Sequence, residues 1–104
     1  MTALLSEERS IIHVTSPLVM PIDRALSSGI RTLLGRGARV IVLDLAQVSH
    51  IDAAGVGELL CTYNIMVARR GALRIVHVTP LVREVLTRAG VFGLLTGDDE
   101  IERV

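Results

Sequence analysis

Residues 50–58 read HIDAAGVGE: an acid, two alanines, then two glycines around a valine. The stretch follows the most apolar segment of the chain, VIVLDLA at 40–46. An acid where a strand hands over to a helix is an N-cap, because its carboxylate accepts from the free N–H groups of the first turn. Asp52 holds that position, and Ala53, Ala54, Gly55 and Gly57 leave the turn after it almost bare. A bare helix start lets another backbone or a phosphate approach the N–H groups, and it presents the positive end of the macrodipole. The same small residues would also let the helix pack tightly on a sheet, and spacing alone leaves both readings open. Two glycines in a first turn cost about 1 kcal/mol each relative to alanine. Something must lie close to them.

The other chemistry-bearing residues do not assemble into a catalytic set. His13, His50 and His77 are far apart and lack metal-ligand spacing. His13 and His77 fall in strands and read as structural, whereas His50 reads as a solvated loop residue. Cys61 lies on a helix with no basic residue near it in sequence, so nothing activates its thiol. No serine sits in a nucleophile elbow. Arg69 and Arg70 close a helix, where the dipole favours cations. The expectation is a chain that is not an enzyme and holds no cofactor and no metal.

The elements that position Asp52 follow from periodicity and punctuation. SIIHVTSPLV at 10–19 reads as a β-branched strand, with a weaker strand at 3–5 before it. Pro21 can open a helix whose apolar face is Ile22, Ala25, Leu26, Ile30, Leu33 and Leu34. The run at 40–45 is apolar except for Asp44, as expected of a central strand buried on both faces. The second helix then runs to about Arg70, with Val56, Leu59, Leu60, Tyr63 and Val67 on its buried side and Gly71 at its stop. Its opposite face carries Cys61, Ile65 and Ala68 beside Glu58 and Thr62. A helix apolar all round is covered on both sides, so this face is read as a partner or dimer surface, with singly scattered surface apolars as the alternative.

ALRIVHV at 72–78 is another strand. Thr79 and Pro80 start a third helix as cap and first residue, with Val82, Val85, Leu86 and Ala89 inward and Gly90 at its end. VFGLLTG at 91–97 reads as a short strand and DDEIERV at 98–104 as a terminal helix. Strands alternating with helices imply an α/β fold with mostly parallel pairing: four or five strands and three or four helices in one domain, 1–104.

Composition narrows the function classes. The formal net charge is zero and only Tyr63 and Phe92 are aromatic, so nucleic acid finds neither a basic footprint nor stacking surfaces. No apolar run approaches the roughly 18 residues of a membrane span. The first ten residues do not read as a secretion signal. A single Cys61 cannot form an internal disulfide, which fits a reducing, cytoplasmic setting.

Two stretches, VIVLDLAQVSHIDAAGVGELL and RRGALRIVHVTPLVREVLTRAGV, resemble the STAS domain over about residues 10–97. That module occurs in bacterial anti-sigma factor antagonists, stressosome proteins, sulfate-transporter tails and a lipid-transport subunit. The family pattern is an apolar strand ending in Asp-Leu or Asp-Phe, then Asp-Ser-Ser-Gly-apolar-Gly. Asp44, Leu45, Asp52, Gly55, Val56 and Gly57 match it here, as do Gly71, Val85, Leu86, Ala89 and Gly90 later. In regulatory members a GHKL-type kinase, itself the anti-sigma factor, phosphorylates the serine before the first glycine. The resemblance places Ala54 at that position, which cannot accept a phosphate, and Ala53 has also lost its hydroxyl.

The resemblance implies a regulatory module that binds a kinase of that type or other STAS proteins. The start of the second helix and its outer face together give the expected partner surface: Asp52, Ala53, Ala54, Gly55, Gly57, Glu58, Cys61, Thr62 and Ile65. Ser49, Thr62 and Thr79 are the nearby hydroxyls that could have taken over phosphorylation. Two departures stand against the usual geometry: Ser16-Pro17-Leu18 replaces a Gly-x-Leu, and the first strand is short or missing. Two other readings share the fold: an accessory subunit of an ABC lipid transporter, and a sensor binding a nucleotide at the bare helix start.

Overall fold

The apolar run at 40–45 forms the strand around which the rest is arranged. The computed structural model describes residues 2–6 and 9–96. In chain order the elements are β1 (Thr2–Ser6), β2 (Arg9–His13), α1 (Ala25–Gly35), β3 (Val40–Asp44), α2 (Ala53–Ala68), β4 (Ala72–Val76), α3 (Pro80–Arg88) and α4 (Phe92–Thr96). The sheet order is β1-β2-β3-β4. β1 runs antiparallel to β2, while β2, β3 and β4 are parallel. The mixed, mostly parallel α/β sheet is therefore the expected one, and the first strand is present.

Register lines up the core. Ile12 pairs with Leu43 and Leu43 with Ile75, and all three are buried. Leu26, Ile30 and Leu33 of α1, Leu59 and Met66 of α2, Val82 and Leu86 of α3 and Leu95 of α4 close over this row. Only alternate residues of β3 are fully buried. This corrects the expectation of a strand covered on both faces. The helices pack on one face, and Val42 and Asp44 on the other remain half-exposed.

Several boundaries differ from the sequence reading, each for a local reason. β2 stops at His13 instead of running to Val19, and the chain rejoins the sheet's end only through a parallel bridge between Leu18 and Ile51. α1 begins at Ala25, not Pro21, because Arg24 takes a left-handed φ of 62° and the Asp23 carboxylate accepts from the Ala25 N–H at 3.0 Å. β4 ends at Val76, where His77 turns the chain with a φ of 56°. Residues 92–96 are helical, not a strand: the Val91 N–H bonds to the Leu86 carbonyl after Gly90 turns at a φ of 78°, and Leu95 is carried onto the core. Ala89 caps α3 and is exposed, not inward. The expected helix at 98–104 lies outside the described residues.

Candidate functional site

α2 starts where β3 has delivered the chain to the carboxyl edge of the sheet, the usual location of sites in open α/β folds. Asp52 is its N-cap, in extended backbone, and one carboxylate oxygen accepts from the Gly55 N–H at 3.1 Å. The other oxygen accepts from the Met20 N–H at 3.0 Å. The Asp52 carboxylate thus ties the loop between β2 and α1 to the start of α2. Two backbone bonds complete the tie: Leu18 N–H to the His50 carbonyl at 2.9 Å, and Asp52 N–H to the Leu18 carbonyl at 3.1 Å. The Met20 N–H first, and the Gly55 N–H after it, hold the Asp52 carboxyl below the usual carboxylate range.

This crossing explains one of the two glycines. A Cβ on Gly55 would stand 1.9 Å from the Leu18 carbonyl oxygen and 2.7 Å from its carbonyl carbon. What lies close to the bare helix start is the chain's own backbone. Gly57 is different: it is exposed, and among the described residues a Cβ there would meet nothing within 4 Å. Ala53 is exposed and Ala54 half-exposed beside it, so the first two turns of α2 present a smooth surface. Met20, 71% exposed, stands next to them through its bond to Asp52.

The buried stripe of α2 is Gly55, Glu58, Leu59, Thr62 and Met66, rotated from the expected one. Tucking Gly55 under Leu18 turns that edge of the helix inward, and Val67 is left 55% exposed. Three residues expected on the partner surface are therefore corrected. Gly55, Glu58 and Thr62 are buried: Glu58 accepts from the Ser27 N–H of α1 at 2.9 Å, and Thr62 donates to the Glu58 carbonyl at 3.0 Å. Cys61 and Ile65 are half-buried, and Ile65 packs against the core. Asp52, Ala53, Ala54, Gly57 and Cys61 remain at or near the surface.

Of the substitute hydroxyls, Thr62 is sealed in the interior. Thr79 caps α3, donating to the Val48 carbonyl at 3.3 Å while accepting from the Val82 N–H. Ser49 is exposed next to His50.

A cluster that sequence separation hid lies at the neighbouring strand ends. Asp44 stands between two histidines, His13 Nδ1 at 3.1 Å and His77 Nδ1 at 3.3 Å. The Ala46 N–H above all, with the two imidazoles, holds Asp44 below the usual carboxylate range against the opposing pull of burial. Register was the missing signal, since His13 pairs with Asp44 across parallel strands. Among the described residues no group of three or more histidine, cysteine or acidic side chains could hold a metal ion. Among them too, no helix is long and apolar enough to cross a membrane.

Comparison with known proteins bears on the fold first. The unphosphorylated anti-sigma factor antagonist SpoIIAA superposes with a TM-score of 0.75 at 21% identity, over 94% of this chain and 86% of that one. A sulfate transporter family protein from Wolinella succinogenes gives a TM-score of 0.71 at 18% identity, over 90% and 76%. The murine anion transporter Slc26a9 gives 0.73 at 19% identity, over 84% of this chain but 14% of the transporter. The family model for the STAS domain matches residues 3–103, so the chain belongs to the STAS domain family.

Proposed function

We propose that this chain is a regulatory protein-interaction module of the anti-sigma factor antagonist or stressosome type, working without a phosphorylatable serine. Its partner docks on the first half of α2, over Ala53, Ala54, Gly57 and Cys61, with Met20 at the rim. The observation that carries this reading is Gly57. It is a glycine in a helix, at about 1 kcal/mol relative to alanine, and nothing in this fold requires it, because the space above it is open. A surface that a partner backbone approaches does require it. A phosphate on residue 54 would add about −1.5 to −2 charges there. Alanine holds the surface in its unmodified form.

The partner under this reading is a GHKL-type kinase or another STAS protein, met in the cytoplasm. The similarity to a sulfate transporter family protein and to Slc26a9 favours a second reading, in which the module serves a transporter. A nucleotide at the helix start has less support, because Asp52 already accepts from Gly55 and puts a carboxylate where a phosphate would sit. The test is affinity capture with wild-type, Gly57→Arg and Ala54→Glu baits. The reading expects a GHKL-type ATPase or a larger STAS protein, captured by the wild type and lost with both variants. Capture of a transporter subunit would replace it with the second reading, and equal capture by all three baits would move the interface elsewhere.

A further inference from the structure

Residues 14–23, 25, 26 and 58 line a cavity of about 360 Å³ beside the first turns of α1 and α2. That is the size of a pocket for a small ligand. Val14, Leu18, Ile22 and Leu26 supply apolar walls, and among the described residues the acidic ones on the lining are Glu58 and Asp23. Among the described residues no arginine, lysine or histidine lines it. Glu58 is 4% exposed. One of its carboxylate oxygens accepts from the Ser27 N–H at 2.9 Å, and among the described residues the other has no hydrogen bond and the carboxylate no ion pair. Asp23 is engaged from one side by the Ala25 N–H.

A carboxylate taken out of water is costly unless a cation or further donors compensate it. Glu58 is almost wholly out of water, and its oxygen without a protein donor is reached only by solvent at the cavity it lines, since among the described residues Ser10 Oγ is the one fully buried side-chain oxygen with no partner. We infer that the cavity binds an aliphatic ammonium: an –NH₃⁺ group against Glu58 with its hydrocarbon stem along Val14, Leu18 and Leu26. The three donors of the ammonium fit a site with an acceptor to spare. Two carboxylates repel an anionic ligand, and a neutral hydrocarbon fills the space while leaving Glu58 uncompensated. The ammonium comes from a free alkylamine or from the end of a lysine side chain. This inference stands apart from the α2 docking surface and survives if that surface is wrong.

Titration of the full chain with hexylammonium chloride, 1-hexanol and sodium hexanoate at pH 7, followed by amide NMR, tests it. Hexylammonium is expected to give saturable shifts at Ser27 and through residues 14–26, binding at least about tenfold more tightly than hexanol, a difference of about 1.4 kcal/mol. Hexanoate is expected to give none. Glu58→Gln, with its amide dispersion retained, should abolish the tenfold preference, while the hexylammonium–hexanol comparison in the wild type needs no variant. A parallel titration with Nα-acetyl-lysine methylamide separates the sources. Binding assigns the site to a lysine side chain, and binding of hexylammonium alone assigns it to a free amine. Equal binding of hexanol and hexylammonium, no saturable shift with hexylammonium, or an unchanged preference in a folded Glu58→Gln chain would overturn the inference.

Discussion

Gly55 and Gly57 lie two residues apart in one helix, and the same substitution is expected to act on them with opposite signs. At Gly57 a methyl group enters open space. Gly57→Ala should therefore stabilise the domain by about 0.5–1 kcal/mol through helix propensity and a less free unfolded chain. At Gly55 the same methyl would lie 1.9 Å from the Leu18 carbonyl oxygen, and the obstructing atoms are backbone. Relief requires Leu18 to lift away, which breaks the bonds between Leu18 and His50 and between Asp52 and Leu18. Each bond contributes about 1 kcal/mol, and overpacking costs about 1–3 kcal/mol. After the propensity gain, Gly55→Ala should destabilise by about 2–4 kcal/mol. Urea unfolding of the wild type and both variants reads the effects directly, and in a domain this size the Gly55 variant should lose roughly 10 °C or more in Tm. A Gly55→Ala midpoint within about 0.5 kcal/mol of wild type would refute the close approach of Leu18 to α2.

Asp44 titrates below its ordinary value of 3.8 in the folded chain, so its contribution is present above that pH and lost as pH falls through the lowered value. Asp44→Asn should accordingly lower stability at pH 7 and flatten the decline between about pH 5 and 2; urea midpoints at several pH values that run parallel in the two proteins would contradict this. Thr79→Ala removes the side chain that caps α3 at Val82, for an expected loss of about 1 kcal/mol, while Thr79→Ser retains most of it in the same assay. Met20 is 71% exposed, and its N–H bonds to Asp52 at the start of α2, where the proposed docking surface lies. Met20→Ser should leave stability within about 0.5 kcal/mol but weaken capture of the α2 partner, and full capture would remove Met20 from the interface.

The parts of this fold that sequence announces are those with local causes. Asp52 and Thr79 are helix caps because their side chains reach N–H groups three residues on, and Thr79-Pro80 carries its own punctuation. The alternation of strands and helices follows from runs such as VIVLD at 40–44. The face of α2 was not legible in the same way. Val56, Leu59, Leu60, Tyr63 and Val67 make as good a stripe as the buried one, because this helix is apolar nearly all round. The choice is made by Leu18, from a distant part of the chain, whose carbonyl fits only over a glycine. The 91–97 stretch misled for a related reason: four apolar residues in a short run suit a strand or a buried turn of helix equally, and Gly90 followed by the Val91–Leu86 bond decides for the helix.

The motif Asp-Ala-Ala-Gly-Val-Gly therefore divides into two kinds of smallness. Gly55 is small for the fold: it admits Leu18, lets Asp52 bond Met20, and holds the loop that walls the Glu58 cavity. Its presence alone is thus no argument for a partner. Ala53 and Gly57 are small where nothing inside the molecule approaches them, since both are exposed and the space over Gly57 is empty. A helix gains from alanine over glycine at such a site, and the proposed partner surface is what accounts for a glycine there. Only that second kind bears on the proposed partner. It is also the kind that a variant can test without disturbing the core.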